Sequence, residues 1–319
     1  MKVLVMSDTH IRGTTPSRRT DNFKKTLINK LQEVKEIAQE EKIDFILHAG
    51  DVFDRPNPAP SVVNDFLKVL SSYPIPIYVV AGNHDLYGHN PDTLSRTMLG
   101  VLINSGVLNL IEEPITLTKD KLKLQLSGKH FDYNVDTDGS AYMINKEQEV
   151  DYALHMIHGM LLDRPFFDQG YTLIEDVTTE ADIIISGHYH LGFGEQEFNG
   201  TKFVNPGSLV RMSADIKEIN RQPQVAIIEL DSEIMVKFRK LTSAKPGGDV
   251  LDRSALEAAK FREKKLADFT QTIKAAGEFK YFSVEQILEQ VASNEQIDDN
   301  VKKEALNRIS QAQEKLGGE

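Results

Sequence analysis

What most constrains this chain is a rhythm in which an apolar run is followed at once by Asp, His or Asn. It occurs five times. VLVM leads into Asp8-Thr9-His10, FILHA into Gly50-Asp51-Val52-Phe53-Asp54, and IYVVA into Gly82-Asn83-His84-Asp85. LHMI leads into His158-Gly159, and DIIIS into Gly187-His188-Tyr189-His190. Short apolar runs bounded by turn residues read as buried strands. Between the first three lie helical patterns. One covers 21–41, with Phe23, Leu27, Leu31, Val34 and Ile37 on one face; another covers 61–70, opened by Pro60 and Ser61. Strand–helix–strand alternation makes βαβ units and a sheet buried between layers. In an open α/β sheet, the loops beyond the carboxyl ends of the strands share one crevice. Five separate segments therefore deliver Asp8, His10, Asp51, Asn83, His158, His188 and His190 to one place.

That donor set mixes imidazole with carboxylate and amide oxygen. The chain has no cysteine, so thiolate zinc sites, iron–sulfur clusters and disulfides are excluded. Imidazole with oxygen suits Mn²⁺, Fe or Zn²⁺ better than Ca²⁺, which takes oxygen alone. Seven ligands are too many for one tetrahedral ion. With one carboxylate shared, they give two ions four protein contacts each and leave room for water and substrate. Two such ions clamp the attacking and leaving oxygens of an in-line displacement at phosphorus. A cluster of this density without a cation would be costly, because neighbouring imidazoles and carboxylates would lie desolvated and incompletely paired.

The five segments, in order, resemble the motif set of the calcineurin-like metallophosphoesterases. The resemblance implies an α/β/β/α sandwich, two β-sheets flanked by helices. It implies that Asp8, His10, Asp51 and His190 hold one metal and Asp51, Asn83, His158 and His188 the other, with Asp51 bridging. His84 would not ligate; it would stabilise charge in the transition state and protonate the leaving oxygen. Asp54 and Asp85 would orient the ligands. Within the superfamily the chain is most similar to the nuclease subunits of the Mre11/SbcD type, phage relatives included. Arg18, Arg19 and Asp21 before Phe23, the GDxFD form of the second motif, and Asn205-Pro206-Gly207-Ser208 carry this likeness. It implies a DNA exonuclease or endonuclease of repair and recombination, activated by Mn²⁺ with Fe, Zn²⁺ or Mg²⁺ as alternatives, and partnered by a Rad50/SbcC-like ATPase. The alternative is a stand-alone phosphodiesterase or phosphatase for a small substrate such as a cyclic nucleotide, which shares every catalytic residue.

The net charge of −11 argues against a simple nucleic-acid-binding module and fits a site built from carboxylates. Arg12, Arg18 and Arg19 with Lys24 and Lys25 form the densest basic run near the first motif. They, Arg55 and Arg211 are candidates for contacts to substrate phosphate, against the simpler reading of a solvated helix start. His48 and His155 lie inside apolar strands and read as hydrogen-bonded core histidines; His89 reads as a surface histidine. Asn134–Ser140 reads as an exposed loop.

A catalytic domain is expected over 1–244 and a linker over 245–250 at Lys245-Pro246-Gly247-Gly248. A small helical segment follows over 251–319. Its apolar stripes, Leu251, Leu256, Phe261, Leu266, Phe269 and Ile273, then Val284, Ile287, Leu288 and Val291, suit either folding back or a partner ATPase. Homodimer formation is left open. No apolar run nears the roughly 18 residues that span a bilayer, and the leading apolar stretch is too short for a signal peptide. The expectation is a soluble, cytoplasmic protein without a membrane partner.

Overall fold

In the computed structural model of the chain, the described residues are 1–166, 170–254, 257–258, 261–262, 264–268, 288–289, 291–293, 295 and 297–316. They fall into two compact units, Met1–Arg253 and Ser254–Glu319. The first unit carries two six-stranded sheets. One has the order β14-β13-β1-β2-β3-β4, where β1 is Lys2–Met6, β2 Phe45–His48, β3 Ile77–Val79, β4 Asn109–Leu110, β13 Gln224–Leu230 and β14 Ile234–Lys240. The other has the order β11-β12-β10-β7-β6-β5, with β5 Ile115–Lys119, β6 Leu122–Lys129, β7 Tyr152–Ile157, β10 Ile183–Ser186, β11 Gly194–Phe198 and β12 Thr201–Asn205. A small pair, β8 (Leu161–Leu162) and β9 (Thr172–Leu173), lies outside both. β1 to β4 run parallel, as do β6, β7, β10 and β12.

Period-two alternation decides the layers. Val3 and Val5 of β1 and Leu47 of β2 meet Leu124, Leu126, Leu154, Met156, Ile183, Ile185 and Val204 of the second sheet in one core between the sheets. Leu4, Met6 and Ile46 point the other way, onto α1 (Phe23–Glu40), α2 (Pro60–Leu70) and α3 (Met98–Asn104). Asn22 starts α1 by accepting from the Lys25 N–H at 3.0 Å, and its stripe of Phe23, Leu27, Leu31, Val34 and Ile37 is buried as the spacing predicts. Burying each such side chain contributes about 1.5–3 kcal/mol. The outer face of the second sheet packs on Val135, Tyr142, Leu161, Ile174 and Val177, which come from loops, short 3₁₀ turns and the short strand β8. The result is a mixed α/β sandwich with two central sheets.

Residues 245–250 pack within the first unit. The Lys245 carbonyl accepts from Arg211 at 2.8 Å, α5 (Gly247–Val250) buries Val250, and α4 (Ile216–Asn220) lies beside it. In the second unit, α6 spans Asp299–Leu316. Of the expected apolar stripes, Leu256, Phe269, Ile273, Val284 and Ile287 lie outside the described residues. Among the described residues, no helix is long and apolar enough to cross a membrane.

Candidate metal centre

All five motifs follow the carboxyl ends of parallel strands: β1, β2 and β3 in one sheet, β7 and β10 in the other. The local backbone is unusual. Asp8, His10, Asp51 and His188 all have positive φ, at 52°, 43°, 53° and 72°. Non-glycine residues rarely take that conformation, and where they do it is held by the surrounding structure. Here the Asp8 N–H donates to the Gly50 carbonyl and the His10 N–H to the Asp51 carbonyl, tying the first motif to the second. The glycines make close approach possible. A Cβ on Gly82 would collide with Asp51, and one on Gly187 with the Ala49 carbonyl.

Three donor groups result among the described residues: one, His10 with Asp54 and His84, reaches the rim, and the two that hold the expected ligands share one carboxylate. Asp8, His10, Asp51 and His190 form the first; Asp51, His158 and His188 form the second. The His10 and His190 Nε2 atoms approach to 3.0 Å, and Asp51 Oδ2 lies 3.7 Å from His10 Nε2 and 3.4 Å from His158 Nε2. The Asn83 side-chain oxygen is 3.1 Å from His158 Nε2. His158 Nδ1–H donates to the Ala49 carbonyl at 2.7 Å, which turns Nε2 toward the cluster. The structure thus brings together all seven expected ligands.

The protonation preferences of the cluster divide. Burial would raise Asp51, but His158 holds its carboxyl well below the usual range. Burial pushes His10 well down and His188 to about 3, leaving both as neutral imidazoles. His158 goes the other way, up to about 9 despite burial, because Asp51 faces it. Asp8 is raised by burial, against the pull of His190. Carboxylate and neutral imidazole are the ligand forms a metal requires; Asp51, His10 and His188 are shifted toward them, whereas His158 and Asp8 are shifted away and a bound cation would have to reverse that preference. Asp51 Oδ2 and His10 Nδ1 are buried without a hydrogen-bond partner. A buried carboxylate oxygen with no hydrogen-bond donor is costly, and a cation is the partner that would satisfy it. The residues fit a divalent metal.

His84 stands at the rim and is exposed. Its N–H donates to Asp51 Oδ1 at 2.8 Å, its Nδ1 meets the Asp54 carbonyl at 2.9 Å, and its ring is 4.8 Å from that of His10. Asp54 also lies 3.8 Å from His10 Nδ1 and pairs with Arg12 at 3.0 Å. Asp85 is fully buried and accepts from the N–H groups of Val52, Phe53 and Gly82, so it ties the backbone just past Asp51 to the start of the third motif. Burial and Asp51 raise it to about 7.

The candidate phosphate contacts divide. Arg12 reaches the rim through Asp54, and Arg55 is exposed beside it. Arg18 is half-buried, with Nη1 enclosed and unpartnered. Arg19 and Arg211, expected at substrate phosphate, are instead buried and bound into the scaffold. Arg19 chelates Asp21 and donates to the Arg211 carbonyl; Arg211 donates to the carbonyls of Arg221 and Lys245. Backbone carbonyls are the competing acceptors.

Sequence reasoning missed the partners of that scaffold. Lys30, buried in the α1 stripe, donates to the Leu209 carbonyl at 2.7 Å; Arg221 donates to the carbonyls of Ser208 and Val210. They hold the turn in which Ser208 Oγ donates to the Asp8 carbonyl at 2.8 Å. The loop 134–140 is also more than exposed. Val135 is buried, and Asp136 accepts from the Met160 N–H at 2.7 Å and the Tyr142 hydroxyl at 2.8 Å, pinning the chain just past His158. A charged residue inside an apolar stripe is the one signal, for Lys30. His48 and His155 are buried and hydrogen-bonded as expected, to Thr9 and to Ser127 and Ala141.

Comparison with known proteins gives a consistent picture. Residues 1–192 match the family model of calcineurin-like phosphoesterases. The chain is 25% identical over 256 residues to the DNA double-strand break repair protein Mre11 of Archaeoglobus fulgidus, covering 74% of this chain and 55% of that protein. It is 34% identical over 120 residues to the SbcD component of the SbcCD nuclease of Bacillus subtilis, covering 36% of this chain and 28% of that one. It is also 34% identical over 124 residues to UDP-2,3-diacylglucosamine hydrolase of Stenotrophomonas maltophilia, covering 37% and 45%. The chain spans about half the length of these relatives, or less.

Proposed function

The chain belongs to the calcineurin-like phosphoesterase family, and from that premise we propose that it hydrolyses phosphodiester bonds of DNA, as the nuclease component of a complex with a Rad50/SbcC-like ATPase. The observation that carries the phosphoesterase chemistry is the position of Asp51, one carboxylate common to two donor groups. Two ions held there, Mn²⁺ in the first instance, would supply Lewis-acid stabilisation of phosphate charge and an acidified water. The chain's own residues do the rest. Asp51 sets the spacing of the two groups, His158 and His188 close one side, and Asp8, His10 and His190 the other. His84 Nδ1–H donates to the Asp54 carbonyl, so Nε2 would be the nitrogen turned to the leaving oxygen, and in the imidazolium form it would hand its proton to that oxygen. Arg12 offers a cation to a neighbouring phosphate.

The likeness to Mre11 and to the SbcD component of the SbcCD nuclease supports DNA as the substrate. It also supports a division of labour in which 1–244 is catalytic, 245–250 connects, and 251–319 meets the ATPase. Phe261 and Val301, 61% and 60% exposed, are apolar positions available to such a partner. A partner that supplies DNA affinity also accounts for an acidic nuclease. The likeness to UDP-2,3-diacylglucosamine hydrolase favours a second reading, a small phosphoester substrate on the same cluster.

The test is Mn²⁺-dependent cleavage of linear DNA by the purified chain, beside a generic small phosphodiester, with and without a candidate ATPase. Cleavage of DNA that depends on Asp51 is expected. Turnover of the small diester with no DNA cleavage in either condition would select the second reading.

A further inference from the structure

Beside the second donor group, aromatic rings run outward from the cluster toward solvent. The Phe131 ring lies 5.5 Å from that of His188 and 6.2 Å from that of His158. His89 packs edge-on against Phe131 at 5.7 Å, and Tyr133 lies 5.6 Å from His89, tilted by 43°. Among the described residues, Tyr133 is the most exposed of the large hydrophobic side chains, at 69%. It is nevertheless fixed: its hydroxyl donates to the Gly88 carbonyl at 2.9 Å. The loop beneath is pinned as well, with Asp132 accepting from the Asn134 N–H and pairing with Lys129, both at 2.7 Å. On the other side of the loop, His89 is held at φ 55°, so the ring that abuts Tyr133 sits on strained backbone.

An aromatic ring kept in water, immobilised at both ends and joined through other rings to a phosphate-processing cluster, is a stacking surface. We propose that Tyr133, with His89 and Phe131 behind it, stacks against an unpaired nucleobase of the DNA strand whose phosphate lies on the cluster. This deepens the nuclease reading and rests on it. The two flanks then divide the work: Arg12 and Arg55 lie on the side of the first donor group, where backbone phosphates pass, and the rings lie on the side of the second. Every base has a π-face, so the ledge is tolerant of sequence. It reads single strands and frayed ends, in which bases are unstacked, in preference to intact duplex. The chain has no tryptophan, so tyrosine, phenylalanine and histidine carry any stacking it does.

The experiment uses the full chain with Mn²⁺ and single-stranded thymidine oligonucleotides in which one abasic residue is stepped along the strand. Tyr133→Ala is expected to raise KM about 10-fold or more with little change in kcat, since stacking is worth roughly that much per base, and Tyr133→Phe, which keeps the ring but gives up the bond to Gly88, to lie between it and wild type. For the wild type, one abasic position should raise KM by a similar factor; for Tyr133→Ala that position should no longer matter. Unchanged KM in Tyr133→Ala, with the same abasic profile as wild type, overturns the stacking ledge while leaving the nuclease reading intact. Failure of every form, wild type included, to bind or cleave DNA both with and without the candidate ATPase overturns both.

Discussion

Asp51→Asn is expected to reduce Mn²⁺-dependent phosphodiester turnover by about a thousandfold or more, the kinetic equivalent of roughly 4 kcal/mol of lost charge stabilisation. The substitution keeps volume and shape but removes the charge. It acts on both donor groups at once, because the Asp51 carboxylate is common to the two. It also leaves His158, which Asp51 raises to about 9, without its counter-charge. The amide oxygen that the substitution introduces would still accept from the His84 N–H, so the backbone turn should persist. Circular dichroism and thermal melting should therefore stay close to wild type while kcat/KM collapses. Retention of more than about a tenth of wild-type turnover would show that the shared carboxylate does not organise the chemistry.

His84→Ala should separate chemistry from metal binding. The His84 ring is exposed and belongs to neither donor group that contains Asp51. Its removal should leave metal affinity unchanged, since Asp51 keeps its bond from the backbone N–H at position 84. A positioned general acid contributes about 10²–10⁴ in rate, so kcat should fall by that factor. The loss should shrink with a substrate whose leaving group is already acidic and needs no proton. Equal losses on good and poor leaving groups would assign His84 to charge stabilisation alone. Loss of metal would make it a ligand, consistent with its proximity to His10 and Asp54 in a third cluster.

The centre is legible in the sequence because its information is local. Each donor follows a strand of four to six residues or a three-residue strand at once, and parallel strands bring their carboxyl ends to one rim. What is not legible depends on distant backbone. Arg19 and Arg211 sit near motifs and look free, yet Arg211 is taken up by the carbonyls of Arg221 and Lys245, and Arg19, besides chelating Asp21, by a carbonyl 192 residues away that only the fold supplies. Lys30 and Arg221 work on the same turn for the same reason. The loop around Asp136 reads as polar and exposed, but the N–H of Met160 beyond His158 needs an acceptor, and Asp136 provides it. His89 reads as a surface histidine; its packing against Phe131 and Tyr133 follows from the end of β6 and the 3₁₀ turn at 87–89 lying side by side.

The most direct test of the central claim, two donor groups joined by Asp51, is the number of Mn²⁺ ions bound per chain, measured by equilibrium dialysis with detection of free ion. Two ions are expected for the wild type. His158→Ala should weaken one and His190→Ala the other, and Asp51→Asn should weaken both. A stoichiometry of one or none in the wild type, or two ions bound with unchanged affinity in Asp51→Asn, would contradict the account.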